Sequence, residues 1–152
     1  MQSAVLAAEA YETSHQGVVP VIDICPGTYS EQVTILKSLV LIRAPVPAYL
    51  GAATIVLPAS VGGDQATGLS TTNCQAGDSA AGISAPRSVI EICAAGPGGS
   101  NTTGVNVTIS DLTVEGNWPT TVCYDSLYDI LAEGGAALTS PAPPSRRRAP
   151  TR

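Results

Sequence analysis

GVVPVIDICPGTYSEQVTILKSLVLIRAP, residues 17–45, is the stretch that decides how this chain folds. It carries three short β-branched runs, Val21–Ile24, Val33–Leu36 and Leu39–Ile42. A Pro-Gly-Thr-Tyr sequence that reads as a turn and a Lys37-Ser38 corner separate them. Each run is too short to cover a core alone, and the connections are too short for crossover helices. Strands that turn corners after three or four residues and return in parallel make a coil, and stacked coils make a solenoid.

Outside this stretch the same kind of run recurs. Val33 to Ile55 is 22 residues, Ile90 to Leu112 is 22 and Ile109 to Ile130 is 21, a repeat length that signals stacked architecture. Val21-Ile-Asp-Ile-Cys25 and Val89-Ile-Glu-Ile-Cys93 share one pattern, with Ile residues turned in and one acid turned out. The expectation is that Val21–Ile24, Ile55–Leu57 and Val89–Ile92 stack as neighbours on one sheet. Further runs lie at Val105–Ile109, Leu112–Val114 and Leu127–Leu131.

Ser3–Glu12 has helical composition and is placed as a cap over the open end of the first coil, where strand edges need cover. Residues 58–87 are a long Gly, Ser, Ala, Thr and Asp segment without a period, read as a loop leaving the coil at one corner. Residues 1–139 then form one domain. Residues 140–152, SPAPPSRRRAPTR, have no apolar periodicity and are expected to be disordered. Such a mixture also arises when a coding region is read out of phase, and that reading is preferred to a basic tail for anionic surfaces.

Charge narrows the partners. Residues 1–140 hold three bases, Lys37, Arg43 and Arg87, against all twelve acids, a net of 3 − 12 = −9. That balance excludes a nucleic-acid surface on the body. No stretch reaches membrane-spanning length. MQSAVLAAEAYETS has no basic n-region and does not read as a signal peptide, and the expected parent is an extracellular or cell-surface protein whose export signal lies upstream.

PGTYSEQVTILKSLVLIRAP resembles the opening of right-handed parallel β-helix proteins of the pectin lyase-like superfamily. The positions shared with pectin methylesterases are Ile24, Pro26, Gly27, Tyr29, Glu31, Val33, Ile35 and Lys37. VNVTISDLTVEGN, 105–117, is similar to a coil of bacterial extracellular β-helices. The resemblance implies an all-β, short right-handed parallel β-helix with an N-terminal capping helix. The esterases carry catalytic aspartates in Gly-Asp and Asp-Phe-Ile-Phe-Gly motifs on later coils. This chain has no Phe and neither motif, so the catalytic region is expected to be missing. The preferred function is a non-catalytic, truncated part of an extracellular β-helix protein that contacts polysaccharide. The competing class is the N-terminal part of a pectin esterase-like or lyase-like enzyme.

Candidate site residues are few. Asp23, Glu91 and Asp129 occupy similar places in similar strands and form a stripe if those strands stack, able to take calcium or act as an acid pair. An outward acid on an exposed strand ordinarily serves solubility, and no cofactor is assigned. Trp118, Tyr124 and Tyr128 offer rings that stack on sugars or pack over a coil edge. Ser14 and His15 have no partner motif for nucleophilic catalysis. Asn101 and Asn106 begin glycosylation sequons, and Asn is also a common turn residue. The cysteines are not arranged for zinc. Cys74 and Cys123 are expected to form the one disulfide, with Cys25 and Cys93 as buried thiols about two strands apart on one sheet. The runner-up pair is Cys74–Cys93. End-to-end self-association through an uncapped last coil is the remaining partner expectation.

Overall fold

The alternation of apolar and polar residues in the short runs is what the fold uses. In β3 (Val33–Ile35), Val33 and Ile35 are fully buried while Thr34 is half-buried; in β4 (Leu39–Arg43), Leu39 and Leu41 are buried and Val40 and Ile42 are not. The structure is a computed structural model, and it describes residues 1–47, 50–56, 87–94, 104–116, 127–133 and 136–140.

Among the described residues one helix, α1 (Gln2–Ser14), precedes ten strands. The strands not yet named are β1 (Val21–Ile24), β2 (Gly27–Ser30), β5 (Ala53–Val56), β6 (Arg87–Cys93), β7 (Asn106–Ser110), β8 (Leu112–Glu115), β9 (Leu127–Glu133) and β10 (Ala137–Thr139). They form three sheets in which every pairing is parallel. Sheet A runs β1-β4-β7-β10, sheet B runs β2-β5-β8 and sheet C runs β3-β6-β9. Each sheet therefore takes every third one of the described strands.

The core side of each sheet is aliphatic. Ile24, Leu39, Leu41, Val107 and Ile109 come from sheet A, Ala53 and Ile55 from sheet B, and Val33, Ile35, Ile90 and Ile92 from sheet C. Val5 of α1 joins them with no exposed surface. Ile22, Tyr29, Leu112, Val114 and Ile130 pack against this core. Burial at this density is the main favourable term, about 25 cal/mol for each Å² of apolar surface removed from water.

α1 closes the edge of sheet C with its side chains. The Gln2 side-chain amide donates to the Thr34 carbonyl at 3.2 Å, and its Oε1 accepts the Thr34 N–H at 2.9 Å. Glu9 Oε1 accepts the Leu36 N–H at 2.6 Å. Edge groups that would face water as an open strand template are thus occupied. Glu31 accepts from the Met1 ammonium and the Gln2 N–H, and Lys37 pairs with Glu12 at 3.2 Å. The helical reading of Ser3–Glu12 and its place beside the first strands both hold.

Three expectations need correction. Val21–Ile24, the Ile55 run and Val89–Ile92 do not stack together: β1, β5 and β6 fall one to each sheet. All three sheets draw on the same β-branched pattern, so a period in the sequence does not say which sheet a strand joins. Corner lengths vary as well. Residues 44–52 separate β4 from β5, whereas Asp111 alone separates β7 from β8. Second, the Pro-Gly-Thr-Tyr turn is largely strand: Gly27–Ser30 pairs residue for residue with Ala53–Val56, and that ladder overrides the turn composition. Third, the last run was expected near Leu127–Leu131, yet a further strand, β10 at Ala137–Thr139, follows it and pairs with β7. The segment 58–86 and the tail beyond residue 140 lie outside the described residues.

Candidate functional site

The acid stripe does not assemble. Asp23 is exposed on β1 of sheet A, where its register partner is Ile42. Glu91 lies on β6 and Asp129 on β9, both in sheet C. Glu91 is paired in register with Thr34 on one side and Leu131 on the other. Asp129 is exposed, two residues before Leu131 and so on the same sheet face as Glu91.

Glu91 also departs from the outward, solvated acid that was expected. It is only 5% exposed, its Oε2 has no hydrogen-bond partner, and burial holds its carboxyl above the ordinary value of 4.5. β6 is buried on both faces, Val89 and Cys93 as fully as Ile90 and Ile92. Among the described residues no three His, Cys, Asp or Glu side chains come together to hold a metal ion.

The cysteines are corrected too. Cys25 is a free thiol but exposed, at the end of sheet A, whereas Cys93 ends a strand of sheet C. Cys93 is 1% exposed and disulfide-bonded. The expected Cys74–Cys123 bridge and its runner-up Cys74–Cys93 involve residues outside those described. Cys74, Cys123, Trp118 and Tyr124 lie outside the described residues, as does the side chain of Tyr128. Ser14 Oγ lies 2.9 Å from His15 Nδ1 at the exposed end of α1, with the Tyr11 ring stacked on the imidazole at 4.1 Å.

What the fold does bring together is a line of hydroxyls. Thr28 pairs in register with Thr54, and Thr54 with Thr113, across the whole width of sheet B. Their strand neighbours Tyr29, Ile55 and Val114 turn to the core, so the threonines face away from it. Thr28 and Thr113 are exposed and Thr54 is half-buried. Adjacent strands put them about 4.8 Å apart. The next row on this face is Ser30, Val56 and Glu115. A similar hydroxyl pair, Thr108 and Thr139, stands beside Val40 on sheet A.

Sequence reading missed this row because Thr28 had been assigned to a turn. The available signal was the recurrence of Thr directly before a core residue, in Thr28-Tyr29, Thr54-Ile55 and Thr113-Val114. Arg43 is a second feature left unread. Its alternation continues Leu39 and Leu41 toward the core, and its Nε and one terminal nitrogen are buried without a partner. No helix among the described residues is long and apolar enough to cross a membrane. The chain matches no known protein family, curated protein or solved structure.

Proposed function

We propose that this chain is a short right-handed parallel β-helix of the pectin lyase-like kind, a non-catalytic part of an extracellular protein that contacts polysaccharide along sheet B. The assignment of every third strand to the same parallel sheet supports the coiled reading. The observation that carries the function is the in-register row Thr28, Thr54 and Thr113. Evenly spaced hydroxyls donate and accept, as the hydroxyls of a linear sugar polymer do, and the row carries no charge to desolvate.

The enzyme reading needs acid and base together over one groove. Asp23 and Arg43 are on neighbouring strands but on opposite faces, and Glu91 is on another sheet. We therefore expect no release of methanol or of unsaturated oligogalacturonides from pectin by the purified chain.

The binding claim is tested by titrating the full chain with homogalacturonan, methyl-esterified pectin and cellulose oligomers by calorimetry. The Thr54→Val and Thr113→Val double variant keeps β-branched shape and removes two hydroxyls. Binding of one of these polymers by the parent, weakened roughly tenfold or more in the variant, a loss of about 1.4 kcal/mol, is the expected result. No binding by the parent, or equal binding by the variant, contradicts the proposal.

A further inference from the structure

Sheet B turns outward a face that carries one acid and no base. Its strands, Gly27–Ser30, Ala53–Val56 and Leu112–Glu115, contain no Lys or Arg. Beside the row Thr28, Thr54 and Thr113 stands the second row, Ser30, Val56 and Glu115, about 6.6 Å further along the strands. Glu115 is exposed and has no ion-pair partner among the described residues. Asp111, also exposed, is the corner that leads into β8.

The bases of residues 1–140 belong to other sheets. Lys37 is paired with Glu12 at 3.2 Å, beside α1. Arg43 is on β4 of sheet A, with its Nε and one terminal nitrogen buried, and Arg87 is on β6 of sheet C. An acidic polymer laid along the threonines therefore meets the Glu115 carboxylate, and the strands beneath it supply no cation in answer. Such a like-charge contact costs more than one neutral hydrogen bond returns.

We infer that sheet B selects an uncharged linear glycan and rejects polyuronates, an inference that rests on the polysaccharide contact proposed above. Hydroxyl-bearing pyranose rings satisfy Thr28, Thr54 and Thr113 without bringing a second negative charge to Glu115. Val56, half-buried in the middle of the second row, gives aliphatic surface to the C–H face of a ring. The acidic balance of residues 1–140 works in the same direction at longer range, repelling polyanions before contact. Methyl esterification turns each uronate carboxylate into a neutral ester on the same backbone, so the two forms of homogalacturonan isolate the effect of charge.

Calorimetry of the full chain tests this with cellohexaose, methyl-esterified homogalacturonan and the same homogalacturonan after de-esterification. A chelating buffer removes calcium bridges between carboxylates. At low salt at least one uncharged polymer is expected to bind, and the de-esterified one to bind at least about tenfold more weakly. The gap should narrow at about 1 M NaCl, where the Debye length falls to about 3 Å. Glu115→Lys, with an unchanged circular dichroism spectrum, is expected to strengthen binding of the de-esterified polymer about tenfold. A de-esterified polymer bound as tightly as the uncharged ones, a gap insensitive to salt, or a Glu115→Lys variant that gains nothing overturns the inference. If the de-esterified polymer binds tightly and the Thr54→Val and Thr113→Val double variant loses it, contact along sheet B stands and only the charge selection fails. No binding of any polymer by the parent overturns both.

Discussion

Asp111 is the whole connection between β7 and β8, and it makes the turn from sheet A to sheet B with φ at 57°. That left-handed region is tolerated by Gly, Asn and Asp and penalises branched side chains. Asp111→Gly or Asp111→Asn should keep the midpoint of urea unfolding near the parent's. Asp111→Val should lower stability by ~1–2 kcal/mol. Glu91 makes a pH prediction with the opposite sign from the usual acid. Its folded pKa is raised, so its contribution to stability is fully present below the ordinary value of 4.5 and is lost as pH rises through the folded value. Glu91→Gln is therefore expected to melt higher than the parent at pH 7, with the gap narrowing on acidification toward pH 4. A gap that widens on acidification contradicts the buried, unpaired carboxylate. For the cysteines, non-reducing peptide mapping should find Cys93 in a bridge, while Cys25 is alkylated in the native protein. At this scale the sequence was least legible. The same Val-Ile-acid-Ile-Cys pattern surrounds Asp23 and Glu91, yet one acid is exposed and the other buried, because different surroundings meet identical strands.

α1 has no side-chain cap at its N-terminus, no acid in its first turn and no base in its last, so little in the helix itself holds it together. Its stability comes from docking: Val5 in the core, Gln2 on Thr34 and Glu9 on Leu36. Gln2→Ala should cost about 1 kcal/mol, with faster hydrogen exchange at the Thr34 amide and no change at Leu41, well inside sheet A. Two carboxyls at this junction titrate in opposite senses. Burial works to raise Glu31, but the Met1 ammonium and the Gln2 N–H outweigh it and hold it low. Burial lifts Glu9 despite the Leu36 N–H and Lys37. As pH falls, docking support from Glu31 is lost while the strain of a buried Glu9 charge is relieved. The helix and most strands were legible from composition and alternation. Gln2 and Glu9 were not, since side-chain bonds to backbone leave no periodic trace in a sequence. β2 was hidden for a related reason: Pro-Gly-Thr-Tyr has turn composition, and only its partner Ala53–Val56 makes it a strand.

Across the molecule, strand existence and parallel pairing followed from run length and connection length, whereas sheet membership did not. β3 and β6 are neighbours although Val33 and Ile90 are 57 residues apart, because residues 58–86 are inserted between them in the chain. The apparent period of 22 from Val33 to Ile55 instead linked sheet C to sheet B. What unites the three sheets is one aliphatic core, and it gives a further prediction: Leu41→Ala, at a fully buried position in sheet A, should cost about 2–5 kcal/mol in urea unfolding. The central claim is that every third strand stacks in parallel and so lines up Thr28, Thr54 and Thr113. A crystal structure of the full chain tests it most directly. The account predicts these three threonines on successive parallel strands about 4.8 Å apart, facing away from the core; antiparallel pairing of Gly27–Ser30 with Ala53–Val56, or Thr54 anywhere but between Thr28 and Thr113, would contradict it.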